Sequence, residues 1–282
     1  MINNKKFFNK HFTKSCVLVS LILVSSIFFF ACSKPAADTD EPDKNPINIE
    51  DNDDNDNDSS NTDTDKNEDT KPKDDDKPEV IESFLDENNI VTNSDSIEVV
   101  VNKERNLSDN YVPKDLVSIT DVPTCLASPE VNQLRKVASE ALTTMFETAM
   151  DEIEIQLYAR SGYRSYNTQV ALYNGYVKNH GQEAADKFSA KPGQSEHQTG
   201  LAMDITSDSV NLQLTEDFGE TDEGKWVSEN AHRFGFIVRY PKGKEDITGY
   251  MYEPWHIRYV GEDLAKMVYE SGLTLEQYFF GE

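Results

Sequence analysis

The sequence predicts an α+β fold, a small antiparallel sheet flanked by helices. Three observations carry that expectation. Strand-like and helix-like runs follow one another without repetition through the later part of the chain. "GLAMDI" (Gly200–Ile205) and "EPWHIRYVG" (Glu253–Gly261) alternate in the manner of half-buried strands. Between Val131 and Ala149, by contrast, apolar residues recur at helical spacing.

The chain begins with a segment that stands outside that fold. Of its 282 residues, 1–32 read as an export signal: Lys5, Lys6, Lys10 and Lys14 form a basic start, "VLVSLILVSSIFFFA" an apolar run, and Ala31 precedes Cys32. A small residue followed by Cys is the lipoprotein pattern, so Cys32 is the expected cleavage boundary and lipid acceptor. Phe29 stands where a Leu is usual, which leaves an uncleaved single-span anchor as the alternative. Either route puts the domain at the outer face of the cytoplasmic membrane. Residues 33–79 carry 18 Asp/Glu against 6 Lys and almost no apolar residues, about half of the net charge of −25. Such a segment cannot bury a core and reads as an acidic, disordered tether. The same charge argues against a nucleic-acid partner.

Residues 80–282 form the folding unit, long enough for one sizeable core. Val99–Val101 is a β-branched run and predicts a strand. Ser128 and Pro129 read as an N-cap and first helical position, opening a helix that buries Val131, Leu134, Val137, Ala138, Ala141, Leu142, Met145, Phe146 and Ala149. "IEIQLYARSGYRS" alternates through Ile153, Ile155 and Leu157 as a strand that delivers Gly162 and Arg164 to a turn. A helix over about 167–179 stops near Gly181; "EDLAKMVYESG" is a helix ended by Gly272, and Thr274 to Gln277 is a capping box for a last helix. Only Cys125 of the three cysteines falls in this unit, so no disulfide can form within it, and a packed thiol is expected.

The chemistry-bearing residues gather in the strands. Alternation turns Leu201, Met203 and Ile205 one way and Ala202 and Asp204 the other, while Gly200 lets the chain bend so that His197 converges with Asp204. In "EPWH", Trp255 and Ile257 take one face and His256 the other, with Glu253 at the strand's start. Two His and one Asp suit Zn²⁺, and three protein ligands leave a fourth position open, as a catalytic site requires. Glu253 is the unligated carboxylate beside them. His180 and His232 lack this conjunction and are expected to be ordinary core or surface residues.

"SGYRSYNTQ", "PGQSEHQTGLAMDI" and "YEPWHIRYVG" together resemble the VanY-type D-alanyl-D-alanine carboxypeptidases, zinc peptidases of the LAS group that trim bacterial cell-wall peptides. The resemblance runs from about Val99 to Tyr278. It implies that His197, Asp204 and His256 are zinc ligands, that Glu253 is the catalytic base, and that Arg164 acts near the scissile carbonyl. Gln169 and Ser195 follow as substrate contacts, and Tyr252 and Trp255, with Tyr163 and Tyr166, as candidate pocket walls. The implied partners are peptidoglycan stem peptides and, through the N-terminal lipid or anchor, the membrane. D-Ala-D-Ala pentapeptide is the favoured substrate, with an L,D-carboxypeptidase acting on the tetrapeptide as the alternative. A non-catalytic wall-binding lipoprotein is a further alternative, opposed by the presence of the base.

Overall fold

A computed structural model describes residues 84–281; the leader, Cys32 and the acidic tether lie outside the described residues. Its main sheet is antiparallel, in the order β3 (Tyr158–Ser161), β4 (Ala202–Thr206), β6 (Glu253–Tyr259) and β5 (Phe236–Tyr240). A short ribbon, β1 (Leu116–Ser118) with β2 (Gln133–Arg135), precedes it. Helices α1 (Lys136–Ile153), α2 (Tyr166–His180) and α6 (Glu262–Ser271) are the longest, with the shorter α3 (Gln182–Phe188), α4 (Asp222–Asn230) and α5 (Glu245–Thr248) between the last two.

The two faces of the sheet have different tasks. Leu201, Met203, Ile205, Phe236 and Ile257 are fully buried and share one apolar cluster with Leu134, Ala138, Leu142, Met145 and Ala149. Each fully buried Leu, Ile or Met there contributes about 1.5–3 kcal/mol relative to exposure. Alternation leaves Ala202, Asp204, His256 and Arg258 on the opposite face, and this is the face on which the site is built.

Three local expectations are corrected. The helix starts at Lys136, with Ser128 and Pro129 outside it, because backbone carbonyls ahead of it are claimed elsewhere. Gly162 and Tyr163 N–H donate to the Val131 and Gln133 carbonyls, and β2 pairs with β1. The helix then continues through Ile153, which is 44% exposed, and ends at Glu154 in the left-handed region, so the strand begins only at Tyr158. Val99–Val101 is buried but forms no strand. The Arg258 guanidinium donates to the Ile97 and Val99 carbonyls at 3.0 and 2.7 Å, satisfying acceptors that a neighbouring strand would otherwise pair with.

The remaining elements follow the sequence signals. Ser165 caps α2 through Thr168 N–H, and Gly181 ends that helix at φ +83. Gly272 ends α6, and the Thr274–Gln277 capping box opens α7 (Leu275–Phe280). Cys125 is half-buried, and its thiol donates to the Ala159 carbonyl.

Candidate metal centre

Asp204 on β4 lies directly opposite His256 on β6, so strand pairing alone sets these two side chains side by side. His197 arrives from a 3₁₀ turn, Glu196–Thr199, closed by Gly200 at φ +66. The left-handed backbone there favours glycine, and a Cβ on Gly200 would in addition stand 2.8 Å from Leu116 Cδ2, which would have to shift. His197 Nε2 is 3.3 Å from Asp204 Oδ2, and His256 Nδ1 is 3.0 Å from Asp204 Oδ1. One ligand atom from each of the three residues falls within 4.8 Å of the others, and all three residues are buried. A tetrahedral zinc with ligands at 2.0–2.1 Å separates them by about 3.4 Å, so the trio is already at the right scale.

The outer nitrogens are also assigned partners. His197 Nδ1 is 2.8 Å from the Gly162 carbonyl, which can only accept, so Nδ1 carries the proton and Nε2 presents its lone pair. A Cβ on Gly162 would lie 2.4 Å from the Gln133 carbonyl, so only glycine fits where that acceptor is supplied. His256 is turned the other way, with Nδ1 toward Asp204 and Nε2 toward Glu196 at 3.5 Å.

The electrostatics favour a cation. Burial and the positive charge of Arg164 lower His197, keeping it neutral. Burial alone would lower His256 too, but the carboxylates of Asp204 and Glu196 outweigh it and raise it to about 9. Burial opposes ionisation of Asp204, yet the two imidazoles hold it well below the usual carboxylate range. The acidic cavity therefore keeps a proton on His256, a charge that a metal ion would displace.

Glu253, with its side chain 13% exposed, reaches within 3.8 Å of His256 Nδ1. Burial is the largest influence on it and raises it to about 7; Asp204 pushes the same way, while His256 and Arg164 oppose. Arg164 is tied to the metal loop through its backbone N–H, which donates to the His197 carbonyl at 3.2 Å. Its Nη1 donates to Gln169 Oε1 at 3.0 Å, and Gln169 Nε2 in turn donates to the Ala190 carbonyl at 2.6 Å. Gln169 thus braces Arg164.

These groups open onto a cleft of about 360 Å³. Of the residues singled out in the sequence, Arg164, Gln169, Ser195, His197, Asp204, Glu253, Trp255 and His256 line it. Tyr252, Tyr163 and Tyr166 do not: Tyr252 packs by Gly219, with Lys242 Nζ 5.9 Å from its ring centre. Tyr176, Tyr240 and Tyr250 take those places on the wall, and sequence reasoning missed them. A register shift between Val238 and Tyr240 breaks the alternation of β5, and the Tyr240 ring comes to lie 4.9 Å from the His256 ring. His232 stacks on Tyr269, away from the cleft.

The profile of the VanY family, D-alanyl-D-alanine carboxypeptidase, matches residues 131–262. The putative carboxypeptidase YodJ of Bacillus subtilis (strain 168) is 50% identical over 190 residues, which is 67% of this chain and 69% of YodJ. Among solved structures, the LD-carboxypeptidase LdcB is 49% identical with a TM-score of 0.64, over 67% of this chain and 88% of LdcB. A VanY D,D-pentapeptidase from a VanB-type resistance cassette, solved with Zn(II), is 32% identical with a TM-score of 0.53, over 64% of this chain and 97% of that one.

Proposed function

Because the chain belongs to the VanY-type D-alanyl-D-alanine carboxypeptidase family, we propose that it is a zinc carboxypeptidase removing the terminal D-alanine from peptidoglycan stem peptides. The observation that carries this reading is the buried His197, Asp204 and His256 cluster with Glu253 beside it. The leader read from the sequence would place the domain outside the cytoplasmic membrane, where such peptides are found.

His197 through Nε2, His256 through Nδ1 and Asp204 through a carboxylate oxygen would hold the metal. Bound Zn²⁺ supplies Lewis acidity, acidifying water and polarising a carbonyl. Glu253 accepts a proton from the attacking water and delivers it to the departing amine of D-alanine. Its burial suits this work, since a carboxylate taken out of water is a stronger base than an exposed one. The developing oxyanion needs positive charge aimed at it, and Arg164, braced by Gln169, supplies that. Tyr240, Tyr250 and Trp255 shape the cleft around the stem peptide.

Two readings differ in the residue before the terminal D-alanine. The motifs resemble both kinds of enzyme and the VanY-type likeness favours D-Ala-D-Ala pentapeptide, whereas the 49% identity with LdcB, against 32% with the VanY pentapeptidase, supports L,D-cleavage of the tetrapeptide. We take the second as the preferred activity and the first as its competitor. Mass spectrometry of purified muropeptides incubated with the zinc-loaded protein separates them. Loss of one alanine from tetrapeptide is the expected result; loss from pentapeptide alone reverses the preference, and no loss from either overturns the carboxypeptidase assignment.

Arg164→Ala is expected to keep zinc while losing transition-state stabilisation of about 3 kcal/mol, roughly a hundredfold in kcat/KM. Unchanged kcat/KM on the muropeptide substrate would assign the oxyanion to another donor.

A further inference from the structure

Glu196 is a buried carboxylate that the proposed hydrolysis does not use. It sits in the turn beside His197 and is 1% exposed. Its Oε1 accepts from Arg239 Nε at 2.8 Å and from Arg258 Nη1 at 2.7 Å. Its Oε2 faces His256 Nε2 at 3.5 Å, a long contact, and neither atom has a hydrogen-bond partner among the described residues. Arg239 is itself clamped by Glu276 on α7, its Nη1 donating to Oε2 at 2.9 Å and its Nη2 to Oε1 at 2.5 Å. Asn102 Nδ2 holds the same carboxylate at 3.1 Å.

Two carboxylates and two guanidiniums cancel within this network, so as a whole it adds no net charge beside the cavity. What the network fixes is direction. One oxygen of Glu196 is pinned by two arginines on adjacent strands, which leaves the other aimed at the ring of His256. With Nδ1 on the side of Asp204 as the metal donor, Nε2 must carry the ring's proton and needs an acceptor, and Glu196 Oε2 is the acceptor in front of it.

We propose that Glu196 is a positioning residue for His256: it accepts the Nε2 proton, fixes the ring orientation and tautomer, and so presents Nδ1 to the metal. The Glu276–Arg239 clamp extends this support to the last helix of the fold. A carboxylate behind a ligating imidazole raises metal affinity by holding the ring in one tautomer. The inference rests on the zinc reading above, and its test separates the two.

The first measurement uses wild-type protein labelled with ¹⁵N-histidine and loaded with zinc. Long-range proton–nitrogen spectra are expected to show His256 protonated at Nε2 and His197 at Nδ1. The second compares zinc affinity in Glu196→Gln with wild type by competition against a chromophoric chelator. The amide would turn a donor toward Nε2–H if its oxygen stays with the arginines, so affinity is expected to fall about 10–100-fold. A His256 proton on Nδ1 in the zinc form overturns the inference, as does unchanged affinity in a folded variant. If Glu196→Gln does not fold, the Nε2 proton of wild-type His256 decides: a strong low-field shift is expected for donation to a carboxylate, and an unshifted, solvent-exchanging proton overturns the inference. Failure of wild type to bind zinc would overturn the metal reading itself, and this inference with it.

Discussion

His197→Ala, Asp204→Ala and His256→Ala are each expected to lose zinc and all measurable hydrolysis. Every one of the three contributes a donor from a different element: a 3₁₀ turn, β4 and β6. With one donor gone, the remaining two cannot fix the ion in the open tetrahedral geometry that hydrolysis needs. The variants should differ in stability. His197 is neutral, so its removal takes away no charge, leaving the Gly162 carbonyl without its donor and Asp204 Oδ2 without the ring 3.3 Å away. Asp204→Ala leaves His256 without its nearer carboxylate, and His256→Ala leaves Asp204 and Glu196 without the ring between them, so both should lower Tm by more. Elemental analysis beside thermal melting checks this, and full zinc occupancy in all three folded variants would remove the assignment.

Glu253→Gln is expected to behave differently, keeping zinc and losing turnover by at least about a hundredfold. Glutamine preserves the volume and one acceptor oxygen at the start of β6, so the strand and the neighbouring His256 have no reason to move. What disappears is a group able to take a proton from water and return it to the amine. Burial puts Glu253 near 7 when no metal is present, and a dication in the adjacent site would draw that value down. Zinc content by elemental analysis and kcat on the muropeptide substrate are the two readouts. Near-normal kcat would place the base elsewhere, and loss of zinc would make Glu253 part of the ligand set. A wall-binding protein without catalysis would show no turnover to lose, so the same experiment addresses that alternative.

Much of this was legible in the residues. Strand alternation correctly separated Asp204 and His256 from the apolar positions beside them, because a pleated strand with one face in the core has only one register that hides Met203, Ile205 and Ile257. Helical spacing in α1 likewise named the buried Ala138, Leu142, Met145, Phe146 and Ala149. The start of that helix was not legible, since a capping signal at Ser128 and Pro129 describes local preference while β1 and the Gly162 turn compete for the same backbone groups. Val99–Val101 reads as a strand for a similar reason: β-branched residues mark burial in extended chain, and nothing local reveals that an arginine 159 residues away satisfies the Val99 carbonyl.

The sequence by itself therefore determined the α+β class, the family and the three residues that the fold gathers into a possible metal cluster, because period, donor type and motif order are properties of neighbours along the chain. Tertiary structure alone decided the rest. A register shift in β5 brought Tyr240 to His256, packing turned Tyr252 away from the cleft, and the pairing of Glu196 with Arg239 and Arg258 joined side chains more than 40 residues apart. Such contacts depend on how strands are registered and on which buried charge finds which partner, and those choices are made only when distant segments compete for the same space and the same hydrogen bonds.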